Sequence, residues 1–200
     1  METKKNLPDN PELVSENRQD IDQMSNLKSI SEIDNSMFYS EDNLIICNPD
    51  ESHLKELSEL WANLATVQQI AAPERYNFRT EEKNWQIFVR KKIEKLHNLL
   101  LISRSRNSPE VTGFLYLQSI TIPSSNLILK AVIEDIYTKP QHRRARIASR
   151  MLDVALNWAL KNNIKQVDLI TLTKSKDLIQ FYLKYIKESK HDLNLELITI

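Results

Sequence analysis

From Leu127 to Ile133 the chain is apolar at every position except Lys130. A strand with one solvated face alternates apolar and polar residues, so a run without alternation has to be covered on both faces. The run predicts a central β-strand over Leu127–Thr138. Pro140 ends it, because proline has no N–H to give to a ladder. The basic stretch Gln141-His142-Arg143-Arg144-Ala145-Arg146 follows, then an amphipathic helix with Ile147, Met151, Leu152, Val154, Ala155, Trp158 and Ala159 on one side. A doubly covered strand that feeds a turn and a helix implies helices layered on a sheet.

The flanking segments extend this pattern. Leu44–Cys47 reads as a short strand. Asn48 can cap a helix over Asp50–Leu64, with Pro49 at its first position and Glu51 completing a capping box; Leu54, Leu57, Leu60, Trp61 and Leu64 share one face. Thr80 caps a second helix, to His97, with Trp85, Phe88, Val89, Ile93 and Leu96 as its buried stripe. Strands follow at Leu99–Ile102 and Val111–Ile120, joined by a polar turn around Pro109. Beyond the central strand come a helix from Ile147, a strand at Val167–Leu172, a helix at Lys174–Lys187 and a strand at Leu193–Ile200. The order β-α-α-β-β-β-α-β-α-β predicts an α/β fold: a mixed, mostly antiparallel sheet flanked by helices. Residues 1–41 are polar, without a sustained period, and read as a disordered tail with a short amphipathic helix conceivable at Ile21–Ile30. The folded domain is placed at 42–200.

Composition removes several function classes. The chain has 200 residues with a single glycine, Gly113, which rules out Gly-rich nucleotide loops and G-x-S-x-G elbows. One cysteine, Cys47, allows neither an internal disulfide nor a cysteine-based zinc site, and the four histidines have no ligand spacing, so no metal is expected. Lys plus Arg and Asp plus Glu are 27 each. That balance argues against nucleic acid or a membrane surface as partner. The first residues lack the apolar core of a secretion signal, so a cytoplasmic location is the expectation.

The chemistry concentrates after the central strand. A helix N-terminus presents free N–H groups and the positive end of its dipole, which suits a phosphate or pyrophosphate. Lys139, His142, Arg143, Arg144 and Arg146 add positive charge there. Glu134-Asp135-Ile136-Tyr137-Thr138-Lys139-Pro140 followed by Arg143-Arg144-Ala145-Arg146-Ile147-Ala148 resembles the GNAT superfamily of N-acetyltransferases. Its members carry an acidic strand end and then an Arg/Gln-x-x-Gly-x-Gly/Ala signature. The order of elements from Leu44 to Tyr185 is similar too, as is the Phe181-Tyr182 pair on the last helix. The motif is closest to diamine acetyltransferase-like members.

The resemblance implies an acetyl-CoA-dependent N-acetyltransferase acting by direct attack of a primary amine, either a small molecule or an exposed amino group of a protein. A homodimer is among the assemblies it implies. Ile136, Tyr137 and Thr138 would line the coenzyme. Backbone amides of Arg143, Arg144, Ala145, Arg146, Ile147 and Ala148 would hold its pyrophosphate, and Ser175 falls where an Asn is common. Glu134 would be the base and Tyr182 the acid that protonates the leaving thiolate. Each has a structural alternative: Glu134 could be an ion-pair partner of a Lys or Arg, and Tyr182 a core residue. The sequence departs from the pattern at Arg146, which replaces a signature glycine. Its side chain either meets the pyrophosphate or folds outward and pairs with a phosphate. The C-terminus also has one strand where the family usually has two. These departures motivate a second reading, a catalytically impaired acetyltransferase-fold protein serving as a binding or interaction domain.

Overall fold

The computed structural model describes residues 38–41, 43–76, 82–93, 98–122, 128–189, 191 and 194–200. Seven strands form one sheet in sequence order: β1 (Tyr39–Glu41), β2 (Leu44–Cys47), β3 (Asn98–Ser105), β4 (Val111–Ile122), β5 (Ile128–Thr138), β6 (Gln166–Thr171) and β7 (Asn194–Thr199). Neighbours from β1 to β5 run antiparallel, while β5–β6 and β6–β7 are parallel. The helices are α1 (Leu54–Ala71), α2 (Glu82–Ile93), α3 (Ile147–Lys161) and α4 (Lys176–Glu188). This is the mixed α/β architecture that the order of apolar segments predicts.

The layers follow from the buried faces. Leu54, Leu57, Leu60 and Trp61 of α1 and Val89 of α2 form one cluster with Leu100, Ile102, Phe114, Tyr116 and Tyr137 of the sheet. The stripe of α3, from Ile147 through Ala159, is buried as its spacing requires. Burying a large apolar side chain contributes roughly 1.5–3 kcal/mol, so these stripes account for the layering. β4 and β5, whose residues Val111–Leu117 and Ala131–Ile133 are buried, sit near the middle of the sheet.

Three expectations need correcting. Tyr39–Glu41, assigned to the tail, pairs with β2. Its apolar neighbour Phe38 donates its N–H to the Ile46 carbonyl, so strand pairing begins within the polar segment. The rest of the tail and the helix at Ile21–Ile30 lie outside the described residues. Asn48 does not cap the first helix. Asp50 caps a single turn at Glu51–His53 by accepting from the Ser52 N–H, with His53 completing the box, and Pro49 precedes it. The Asp50 side chain beats Asn48 because it reaches the first free N–H groups directly. The first helix also runs on to Ala71, past Leu64. The Thr80 cap and Leu96 lie outside the described residues.

Candidate active site

Glu134 and Asp135 are adjacent, and a regular strand would send them to opposite faces. The β4–β5 ladder prevents this. Tyr116 pairs with Asp135 and Leu117 with Ile133, so Glu134 is an extra residue with no partner on β4. Such a bulge re-aims side chains. Both carboxylates meet the helical layer of α1 and α2: Trp61 Nε1 donates to Asp135 Oδ2 at 3.0 Å, and Lys92 Nζ donates to Glu134 Oε2 at 2.9 Å. Trp61 itself packs against Phe114 in a tilted arrangement, with ring centroids 4.3 Å apart.

Lys92 is held from a second side. Its Nζ lies 4.0 Å from the Tyr116 ring centroid and 5.3 Å from that of Phe88. An ammonium over an aromatic face is attracted by the ring quadrupole. Tyr116 is fully buried, and Asn98 Nδ2 donates to its hydroxyl at 2.7 Å. Burial first, then the negative Glu134 and Asp135, push that hydroxyl far above its ordinary range. Burial also raises the Asp135 carboxyl, against the hydrogen bond from Trp61 and the charge of Lys92.

Beside this cluster the sheet opens. β6 pairs with β5 from Lys130 to Ile133 only, whereas β5 continues to Thr138 and β6 to Thr171. Residues 134–138 therefore have β4 on one side and no strand on the other among the described residues. The cleft lies at the carboxyl ends of two parallel strands, where ligands of α/β sheets bind. Ile136, Tyr137 and Thr138 occupy its β5 edge, and Ser175, the residue before α4, follows β6 on the far side. The buried hydroxyls of Thr138 and Thr171, one on each strand end, have no hydrogen-bond partner among the described residues. Buried polar groups are normally satisfied, so an unpartnered pair at the two lips of a cleft fits a polar ligand.

Tyr182 of α4 is 1% exposed. Burial, and secondarily the charge of Asp135, push its phenol far above the ordinary range. The structure thus brings Tyr182 within electrostatic reach of the acidic bulge. Tyr185, one turn on, donates to Asp153 of α3 at 2.6 Å and anchors the helix.

The basic turn forms the mouth of the cleft. After a single turn at Pro140–His142, Arg144 has φ 65° and Arg146 φ 58°, both left-handed. This is the conformation that favours glycine, and Arg146 adopts it at the signature position, directly before α3. No side chain caps α3, and its first turn holds no acidic residue. Its N–H groups are therefore available to an anion. Arg143, Arg144, Ala145 and Arg146 are exposed, Ile147 is buried and Ala148 is intermediate. Arg143 Nε donates to the Thr138 carbonyl at 3.3 Å. Lys139 is turned away, bound to Glu110 at 2.7 Å. Arg104, His142, Arg146 and Arg150 line a cavity of about 330 Å³ on the β1–β3 side of the turn.

Sequence reasoning singled out the turn, Glu134 and Tyr182 as candidates. It did not single out Lys92, Trp61 or the half-buried Asp135. The spacing Phe88–Lys92, one helical turn, was the available signal for a lysine lying over an aromatic ring.

Residues 64–186 match the Acetyltransferase (GNAT) family. That is more than half of the chain, and the chain belongs to this family. Solved structures share the fold. A transcriptional regulator from Bacillus halodurans C-125 has a TM-score of 0.59 at 18% identity, over 74% of this chain and 95% of that one. A ribosomal-protein-alanine N-acetyltransferase from Brucella melitensis biovar Abortus 2308 has 0.55 at 16%, over 70% and 89%. A predicted acetyltransferase with acetyl-CoA from Clostridium acetobutylicum has 0.53 at 20%, over 70% and 88%. At these identities the likeness concerns the fold. No curated protein matches the chain in sequence.

Proposed function

We propose that this protein moves the acetyl group of acetyl-CoA to a primary amine by direct attack, without a covalent enzyme intermediate. The observation that carries the reading is the cleft between β5 and β6, with the uncapped start of α3 at its mouth and Glu134, Asp135 and Tyr182 beside it. The residues present fit the coenzyme. Uncapped amides from Ile147 onward and the arginines of the turn suit its pyrophosphate, and the open edge of Ile136–Thr138 can pair with an extended polar chain. Bound acetyl-CoA supplies an activated thioester carbonyl.

The protein's own groups prepare the acceptor. An alkylammonium, with a pKa near ~10.4, is no nucleophile at neutral pH until a base takes its proton. Glu134, with a side chain 35% exposed, is the carboxylate that an amine from solvent can reach. Asp135 stays committed to Trp61 and adds negative potential that favours a cationic acceptor. Tyr182, with its raised phenol, stays protonated at every working pH and offers an O–H to the departing thiolate. The acidic bulge and its aromatic surround support the motif's closeness to diamine acetyltransferases.

Calorimetric titration of acetyl-CoA into the wild-type protein and Arg146→Gly tests this, followed by turnover with a panel of primary amines. Micromolar binding by the wild type and coenzyme release with at least one amine are expected. Binding by Arg146→Gly alone would leave an acetyltransferase fold without its donor, and the interaction-domain reading would replace this one.

A further inference from the structure

Lys92 places an amine directly against the candidate base. Its Nζ is hydrogen-bonded at 2.9 Å to Oε2 of the carboxylate assigned as base. The charge of Lys92 also acts on Asp135, the same group whose charge reaches the Tyr182 phenol. The ammonium and the two carboxylates of the β5 bulge therefore form one cluster, Glu134 in direct contact and Asp135 next to it in the chain. The lysine is not a loosely held surface residue. Its side chain is 15% exposed and it lies over the faces of Tyr116 and Phe88. A long flexible side chain loses conformational entropy when it is fixed in this way. Having lost it before any acetyl donor arrives, the side chain is a pre-oriented nucleophile.

We infer that Lys92 is itself an acceptor: the protein acetylates its own Lys92 Nζ from acetyl-CoA. The inference rests on the proposed use of that donor. The step balances with groups on the page. One proton passes from the Nζ ammonium to Glu134 along the existing hydrogen bond. The nitrogen lone pair then forms the C–N bond to the thioester carbonyl carbon as the C–S bond breaks. The second proton passes from the nitrogen to the coenzyme sulfur as the amide forms, with the Tyr182 O–H supporting the developing charge, and Glu134 afterwards gives its proton to water. Nothing is oxidised or reduced. The product is a neutral amide, which neither pairs with Glu134 nor sits as a cation over Tyr116. Glu134 is thereby released for an external amine.

The test incubates full-length protein with acetyl-CoA and no amine, then reads intact mass and a peptide map. One added acetyl group on Lys92 is expected, at a fractional rate that does not change over a tenfold range of protein concentration. Exposed Lys91, its neighbour, should gain at least tenfold less. Glu134→Gln should lose the modification. Lys92→Arg, which keeps the charge over the rings, should stay unmodified while still binding acetyl-CoA by calorimetry. Modification of Lys91 as fast as Lys92 would mean chemical acetylation and overturn the inference. So would an unmodified Lys92 in a protein that binds acetyl-CoA and acetylates external amines, in which case the proposed function stands. Failure to bind acetyl-CoA would overturn both.

Discussion

Gly113 sits in the middle of the sheet, opposite Thr138 on β5 and Ser103 on β3. A Cβ there would lie 2.6 Å from the Tyr137 carbonyl oxygen and 3.1 Å from Ser103 Oγ. The first contact is backbone and cannot rotate away. Gly113→Ala is expected to cost about 2–3 kcal/mol in urea denaturation and to weaken acetyl-CoA binding, because it displaces the strand end that lines the cleft. The chain uses its one glycine for close approach, and its left-handed positions among the described residues hold Arg144, Arg146 and Asn163. Arg146→Gly removes a left-handed cost of about 1–2 kcal/mol, partly offset by a more flexible unfolded chain, for a net gain of about 0.5–1 kcal/mol. Asp135 gives a pH signature. Burial holds its carboxyl above the ordinary value of 3.8. Between that value and the raised one, the folded protein binds a proton that the unfolded chain has released, so stability falls as pH rises through the window. Asparagine still accepts from Trp61 and carries no such proton. Thermal melts of Asp135→Asn should show a higher Tm than wild type at neutral pH, converging on it below the window.

At the level of elements, the bulge in β5 decides which groups meet. It couples β5 to α1 through Trp61 and to α2 through Lys92. Trp61→Phe keeps most of the ring but removes the indole donor from Asp135, and should cost about 1–3 kcal/mol. In a double-mutant cycle with Asp135→Ala, which removes the acceptor, the two effects should be non-additive by at least about 0.5 kcal/mol, since both report on one hydrogen bond. Here the limits of the sequence are physical. Apolar periodicity located each α-helix and strand among the described residues from Leu44 onward because burial imposes it. The bulge leaves no such trace: Glu134-Asp135 reads as ordinary alternation until the β4 register is known. Lys92 stood next to Ile93 of a buried stripe and looked like solvated charge. The capping error at Asn48 has a similar source, since Asn48 and Asp50 are both competent caps and tertiary placement chooses between them. The basic turn could be singled out as a candidate anion site because a strand, a proline, cations and a helix start are all local features. Its left-handed arginines were not.

Across the whole molecule, β5 and β6 share only four residue pairs, Lys130–Ile133 with Gln166–Leu169. The buried ion pair of Lys130 with Asp168 lies within that short seam. Tyr185–Asp153 joins α4 to α3 on one side of it. The sheet is thus two leaves, β1–β5 and β6–β7, sewn together along less than half the length of β5. A donor bound along residues 134–138 would act as a splint across both leaves, so its binding energy would appear as cohesion far from its own contacts. Amide hydrogen exchange in β6, β7 and α4 should therefore slow on addition of acetyl-CoA, while that of β2 and β3 changes little.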